Sequence, residues 1–313
     1  MQKKILFVFF LLSCFRAYPQ GCSDAGFCSM GAMRPDQPFD RKIVLRLRSI
    51  ELSIYRGKTT LTPLIYSVTA DLNFSLNSRN SFQVKIPYQA VEGRLANTSG
   101  ISDISVSYTR NLLSSEKFDL GISIGTKLAV NDANLLWENK PLPMYYQTSL
   151  GTYDFIAGIS FLSRKWLLAT GIQHPLIQNN NNQFLWGKWP ASEFSDQEYL
   201  LKYPRSRELE RGTDIMFRVE RNFRFSRFNV ALGALPIIRL NQDEFTNPAG
   251  EREKIKGSTG ATATLLASAG YSFNVRSGIK FLYGYKVLSR EMHSNPDGLS
   301  RLNVITMGYI YRF

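Results

Sequence analysis

After residue 13 the 313-residue sequence contains no apolar run approaching the roughly 20 residues that a transmembrane helix needs. This excludes a helical membrane protein. It does not exclude a membrane barrel, whose strands alternate apolar and polar residues and so carry only modest hydropathy. Histidine is scarce. His174 and His293 have no recognisable nucleophile–base spacing and stand in no cluster of metal ligands, which argues against hydrolase chemistry and against a metal site. No catalytic residue is assigned, no phosphate-binding loop occurs, and nothing in the sequence calls for a cofactor. Acidic residues are outnumbered by basic ones, 25 to 38, giving a formal charge of +13. No basic aromatic stripe or known binding module accompanies the excess, so it is not a nucleic-acid footprint.

Cysteine is limited to Cys14, Cys22 and Cys28. Lys3 and Lys4 precede an apolar stretch from Ile5 to Leu12, and residues 1–20 read as an export signal. Leu11-Leu12-Ser13-Cys14 also resembles a lipobox, so lipidation at Cys14 stands beside ordinary cleavage within 17–21. Export to an oxidising compartment favours a Cys22–Cys28 disulfide across a short loop-like stretch. Residues 21–42 then form a stapled segment ahead of the main domain, either plugging it or hanging in the periplasm.

From residue 43 to Phe313 the dominant signal is alternation with a period of two. Phe118, Leu120, Ile122, Ile124, Leu128 and Val130 fall on one face of a strand, and Asp119, Gly121, Ser123, Gly125 and Lys127 on the other. Tyr153, Phe155, Ala157, Ile159 and Phe161 repeat the pattern, as do Ile279, Phe281, Tyr283 and Tyr285. Such stretches predict about twelve strands, near 43–56, 62–75, 79–90, 101–111, 117–131, 150–163, 165–178, 211–224, 227–241, 258–273, 277–290 and 302–313. Their connections alternate between short and long, with 57–61 the exception. The expected fold is therefore all-β, a transmembrane antiparallel up-and-down β-barrel over 43–313. Its short turns and both termini are expected on the periplasmic side of the bacterial outer membrane. The last strand ends Tyr309-Ile310-Tyr311-Arg312-Phe313, and Tyr309, Tyr311 and Phe313 are expected to form the C-terminal signal read by the barrel-assembly machinery. Tyr55, Tyr88, Tyr108, Phe118, Tyr271 and Phe273 are candidates for interfacial girdles.

The expected short-turn rim collects Arg41, Lys42, Arg79, Arg110, Lys117, Arg164, Lys165, Arg221, Arg224, Arg227, Arg276 and Arg312, which suits anionic lipid headgroups, with an acidic periplasmic partner as the alternative. Inward positions carry both signs. Lys85, Lys127, Arg218, Arg239, Lys280 and Lys286 are expected to line the lumen with Asp71, Asp103, Asp119, Asp154, Asp214 and Glu220. They form either a selectivity network or a polar plug. The loops 132–149 and 179–210 are rich in aromatics. Trp137, Trp186 and Trp189 are candidates for contact with an apolar or aromatic ligand, unless the loops fold inward as a lid. Asn179–Asn182 reads as a polar surface tract.

Ile86-Pro87-Tyr88 is followed by Gly100-Ile101-Ser102-Asp103-Ile104-Ser105-Val106-Ser107-Tyr108. This pairing resembles the outer-membrane transporters of the MetA-pathway-of-phenol-degradation family. The resemblance implies a barrel that passes small aromatic or apolar molecules, and assigns no role to Pro87, Tyr88 or Asp103. The Cys22–Cys28 segment lies outside that pattern and has the look of exported proteins of the Bacteroidota. The expected function is an outer-membrane channel or transporter for a small solute, with a closed structural or interaction barrel of an envelope complex as the alternative. Expected partners are outer-membrane lipid, the assembly machinery and a small-molecule solute; any envelope partner protein is unidentified.

Overall fold

The computed structural model describes residues 46–59, 61, 63–290 and 295–313. The export signal, Cys14, the Cys22–Cys28 pair, the 21–42 segment and His293 lie outside the described residues. The wall of the molecule begins with β1 (Arg46–Thr59), β2 (Leu64–Ser75) and β3 (Asn80–Glu92). It continues through β4 (Asn97–Ile101), β5 (Ile104–Ser114) and β6 (Phe118–Leu128). Two short strands, β7 (Leu136–Trp137) and β8 (Lys140–Pro141), then form a loop hairpin. The wall resumes with β9 (Thr152–Ser163), β10 (Trp166–Gln178), β11 (Asp214–Arg224) and β12 (Phe228–Arg239). A second loop hairpin, β13 (Glu244–Thr246) and β14 (Arg252–Lys254), precedes β15 (Gly260–Ser272), β16 (Ser277–Leu288) and β17 (Arg301–Arg312).

Each wall strand pairs antiparallel with its neighbours in sequence, and β1 pairs with both β2 and β17. β4 and β5 pair with successive parts of β3 and act as one strand interrupted at Ser102–Asp103. The result is a closed twelve-strand antiparallel barrel. The closing seam runs from Ser49 opposite Arg312 to Thr59 opposite Arg301. The backbone N–H of Phe313 still donates to the Arg48 carbonyl at 3.1 Å. Closure leaves the wall no unpaired sheet edge, the condition for a β-structure to sit in hydrocarbon. At 11 to 14 residues for most strands, the wall exceeds the roughly 9–11 residues needed to cross a bilayer at a tilt.

Burial is the inverse of that of a water-soluble protein. Along β11, Arg218 and Glu220 are each 2% exposed, while Phe217 and Val219 are 41% and 42% exposed. The same holds around the wall, where Leu52, Ile54, Val68, Ile124, Ile159, Leu232, Leu265 and Met307 all point outward. A belt this continuous is far larger than the few hundred Å² of apolar patch that soluble monomers expose. It identifies the protein as a transmembrane barrel.

The short connections, 76–79, 115–117, 164–165, 225–227 and 273–276, gather at one end. Their tightness is encoded locally. Asn77 Oδ1 accepts the N–H groups of Arg79 and Asn80, both at 2.9 Å. Asn274 does the same for Arg276 and Ser277, both at 2.8 Å. Each side chain thus mimics a backbone turn. The remaining long connections gather at the other end and fold inward. Tyr55 departs from the girdle role expected of it. Its phase matches Glu51 and Ser53 rather than Leu52 and Ile54, so the ring points inward and is buried with the loops.

The apolar belt predicts that Val219→Arg, a charge in mid-strand on the outer face, destabilises the folded barrel by about 2–4 kcal/mol. Urea unfolding in lipid vesicles measures this; an unchanged midpoint would mean that this face does not meet hydrocarbon.

Candidate functional site

Residues 141–150 leave the β7–β8 hairpin and enter the barrel mouth, and every one of them is buried. The hairpin turns at Glu138 and Asn139, with φ of 47° and 63°. Two successive left-handed residues make the tight turn that matches strand twist. A single 3-10 turn, Met144–Tyr146, then sets three side chains inside the mouth. The Tyr146 hydroxyl meets the Leu95 N–H and the Tyr203 hydroxyl, each at 3.2 Å, and the Tyr203 hydroxyl lies 2.6 Å from that of Tyr199. A Cβ at Gly93 would overlap the Tyr146 ring, so only glycine fits there. Tyr55, Ile65, Val91, Leu142, Phe184 and Val304 complete this apolar plug.

Amide side chains lock the loops to one another. Asn182, fully buried, donates to the carbonyls of Ala133 and Leu142 at 2.9 Å each and accepts from the Phe184 N–H and the Ser206 hydroxyl. Gln147 donates to the Leu142 and Leu135 carbonyls and accepts from the Leu135 N–H. Buried irregular backbone requires such partners. This overturns the surface reading of Asn179–Asn182: Asn180 and Asn182 are interior ties, though Asn179 and Asn181 are exposed. At the rim, Asp196 caps the short helix Gln197–Leu201 by accepting the Tyr199 N–H, and it pairs with Arg94 at 2.8 Å. These two contacts hold its carboxyl below the ordinary range, the backbone hydrogen bond first.

Beneath the plug runs a chain of buried charges. Lys127 lies 3.7 Å from Asp103 and 3.8 Å from Asp154. Asp154 meets Arg211 at 3.1 Å. Arg211 approaches Asp297 at 3.7 Å. Arg239 binds Asp214 through two nitrogens, at 2.9 and 2.7 Å, and reaches Asp243 at 2.7 Å and Asp297 at 2.9 Å. Asp214 and Arg239 stand opposite each other on β11 and β12. Arg211, Asp243 and Asp297 belong to loops, so the chain ties the plug to the wall. Burial alone would raise the Asp297 carboxyl, but Arg239, Arg211 and Arg290 outweigh it and hold the group well below the ordinary range.

The other inward charges sit lower or apart. Asp71 takes Lys85 at 3.6 Å and the Gln83 amide at 2.8 and 2.9 Å. The Arg218 Nε donates to Glu220 at 2.7 Å. Lys280 pairs at 3.5 Å with Glu51, a residue not anticipated as its partner. Asp119 is bonded to the Ser114 hydroxyl at the short-turn mouth. Lys286, 2% exposed, has no ion-pair partner among the described residues. Below the ionic chain Ile156, Ala169, Met216, Leu235 and Leu266 make an apolar patch inside the lumen.

Of the three tryptophans expected at a ligand, Trp189 is buried, with its N–H on the Pro141 carbonyl at 2.8 Å and Phe194 against its ring. Trp186 donates to the Tyr203 carbonyl at 2.8 Å and lies under Arg205. Trp137 is 43% exposed. His174 faces outward, and its Nδ1 lies 2.8 Å from the Thr213 hydroxyl; among the described residues no carboxylate or amide bonds its other nitrogen. Arg211, Asp243, Arg290, Asp297 and Arg301 were missed because they lie in or beside loops, where alternation carries no signal. Asn295-Pro296-Asp297-Gly298 has the composition of a turn, which hides an acid placed for electrostatics.

Between plug and wall lies a cavity of about 60 Å³, lined by Lys85, Ser105 and Lys127 from the wall and by Tyr145, Gln147, Asp297 and Arg301 around the loops. That space holds roughly four waters or one small solute. Gly298, at φ +68°, closes one side. A Cβ there would meet the Met144 backbone at 2.6 Å, so the 295–300 loop docks on the plug only through glycine.

No family model matches the chain, and no curated protein matches it. The phenol-degradation resemblance therefore stays at its motif. Among solved structures, a NanC porin overlaps at TM-score 0.46 and 10% identity, over 85% of this chain and 100% of that one. Outer membrane phospholipase A from Escherichia coli overlaps at 0.36 and 9%, over 94% and 98%. OmpT, an outer membrane protein of Vibrio cholerae, overlaps at 0.33 and 8%, over 87% and 100%.

Two predictions follow from the ionic chain. Arg239→Met removes the cation shared by three buried carboxylates and leaves Asp243 without an ion pair among the described residues, at a cost of about 3–5 kcal/mol of stability, read from chemical unfolding of the purified barrel; a neutral effect would show the cluster to be dispensable. The depressed Asp297 carboxyl contributes stability that is complete above the ordinary value of 3.8 and fades as pH falls below it toward the folded value. Acidification through that range should loosen the plug, seen as faster amide exchange in 295–301, and Asp297→Asn should reproduce the loosening at neutral pH.

Proposed function

We propose that the protein is a channel or transporter of the bacterial outer membrane that admits a small solute and is held closed by its own loops. The short turns and both termini face the periplasm in this reading, and the plugged end faces outward. The observation that carries it is the polar cavity between plug and wall. The loops form part of its lining, and the latch at Arg211, Asp297 and Arg239 is ionic and so responsive to its surroundings. Aromatic residues around the mouth suit an apolar or aromatic moiety on the solute, although Trp186 and Trp189 already bond within the plug in the closed form. A barrel built only as an anchor has less use for an enclosed polar space over a charged wall. Among the described residues no group orients the His174 imidazole as a base beside Thr213, and no hydrolase role is assigned to the pair.

In planar bilayers the wild-type protein should pass little current, and a variant lacking 183–206 should conduct steadily. Silence from both would point to the closed structural barrel. Steady conductance in the wild type would show that the loops do not seal the lumen.

A further inference from the structure

The charges around the cavity do not balance. Asp103 and Asp154 hold Lys127, and Asp71 holds Lys85. Asp214, Asp243 and Asp297 are gathered by Arg239, with Arg211 also on Asp297. That leaves Lys286, Arg290 and Arg301 on one side, none with an ion-pair partner among the described residues. Lys286 and Arg301 are 2% and 3% exposed. Arg301 spends one nitrogen on the backbone carbonyls of Gly298 and Ser300, and Arg290 donates to that of Ser258. Carbonyls solvate a guanidinium but do not neutralise it.

Resting on the channel reading only for the cavity's use, we propose that the cavity binds a small anion, through a carboxylate or phosphate group, at Arg301. Lys286 and Arg290 lie behind the lining, Arg290 as a second cation. Arg301 lines the cavity and presents a planar donor array that suits either group. The opposite side, where Lys85 and Lys127 are paired to three carboxylates, offers an anion no free cation and receives the uncharged part of the solute. The space of about 60 Å³ limits that part to a few heavy atoms.

The test uses the purified full-length protein in non-ionic detergent at fixed ionic strength. Inorganic phosphate and acetate are titrated separately at millimolar concentration, with glycerol as the neutral control. The readout is the temperature at which half the protein loses its folded electrophoretic mobility. The expected result is a saturable upward shift with at least one anion and none with glycerol. In Arg301→Gln half-saturation should weaken roughly tenfold to a hundredfold, while Lys140→Gln, on the plug's outer surface, should match wild type. Because Arg301→Gln also alters packing, Lys286→Met gives a second sign. Removing a buried amine that has no ion-pair partner among the described residues should raise the anion-free midpoint, and loss of its N–H donors should shrink the shift. A shift that is absent, linear rather than saturable, or unchanged in Arg301→Gln overturns the proposal. Binding is read without current, so a silent barrel that binds phosphate leaves this inference standing while removing the channel.

Discussion

The structure depends on the seam between β1 and β17. In hydrocarbon each backbone N–H and C=O must find a partner inside the protein, and eleven of the twelve strand contacts join strands that are consecutive along the wall. Only the seam joins the two ends of the chain. It is the contact that converts a sheet with two exposed edges into a closed wall. That the final residue, Phe313, still donates to Arg48 shows how fully the C-terminus is used in making it. The belt of outward aliphatic side chains is tolerable only once the seam is shut, because until then each edge is an open template for pairing with another chain.

Closure then dictates the interior. With apolar residues committed to the outside, alternation delivers every second residue of every strand into a narrow lumen, whatever its polarity. Charges placed there lose most of their hydration, and the structure answers with partners. Some are settled within the wall, as in the Asp71–Lys85 and Arg218–Glu220 pairs. Others recruit the loops. Arg239 serves a wall acid and two loop acids at once, so the electrostatic needs of the wall hold the plug in place. The tyrosine cluster fills volume but tolerates sliding. The amides of Asn182 and Gln147 and the Arg239 hub do not, since each needs its donors and acceptors in one geometry.

The sequence made the wall legible and the plug nearly illegible, for one reason. Period-two alternation reports which face meets lipid, and all twelve expected strands correspond to wall elements within a few residues. Where a strand's inward face is itself aromatic, the same rule misleads. Tyr55 looks like a girdle residue by type and is an interior residue by phase. Inside the loops no period exists. The buried Asn182 and the loop acid Asp297 have the composition of solvated turns, and only their distant partners, Ala133 and Leu142 for one and Arg211 and Arg239 for the other, reveal their work. Cross-strand pairs such as Asp214 with Arg239 were within reach of the sequence because both lie on strands. The acids that complete the hub were not.

The same bonding constrains how the barrel can open. Asn182 ties the 132–149 and 179–210 loops together, Gly298 seats the 295–300 loop against Met144, and Arg239 and Arg211 bind that last loop to the wall. Moving one loop alone would leave buried amides or carboxylates without partners, at roughly 1–3 kcal/mol for each neutral group and more for each charge. Moving the loops together keeps the amide ties between them intact, and breaks the ionic latch, whose groups regain hydration as they separate, with the bonds that join Gln89, Thr98 and Asp103 to residues 146–150. Opening as one body is therefore the cheaper path. Arg211, Arg239 and Asp297 carry the charged part of its barrier and stand beside the cavity, Asp297 in its lining, so the latch and the cavity share one electrostatic environment.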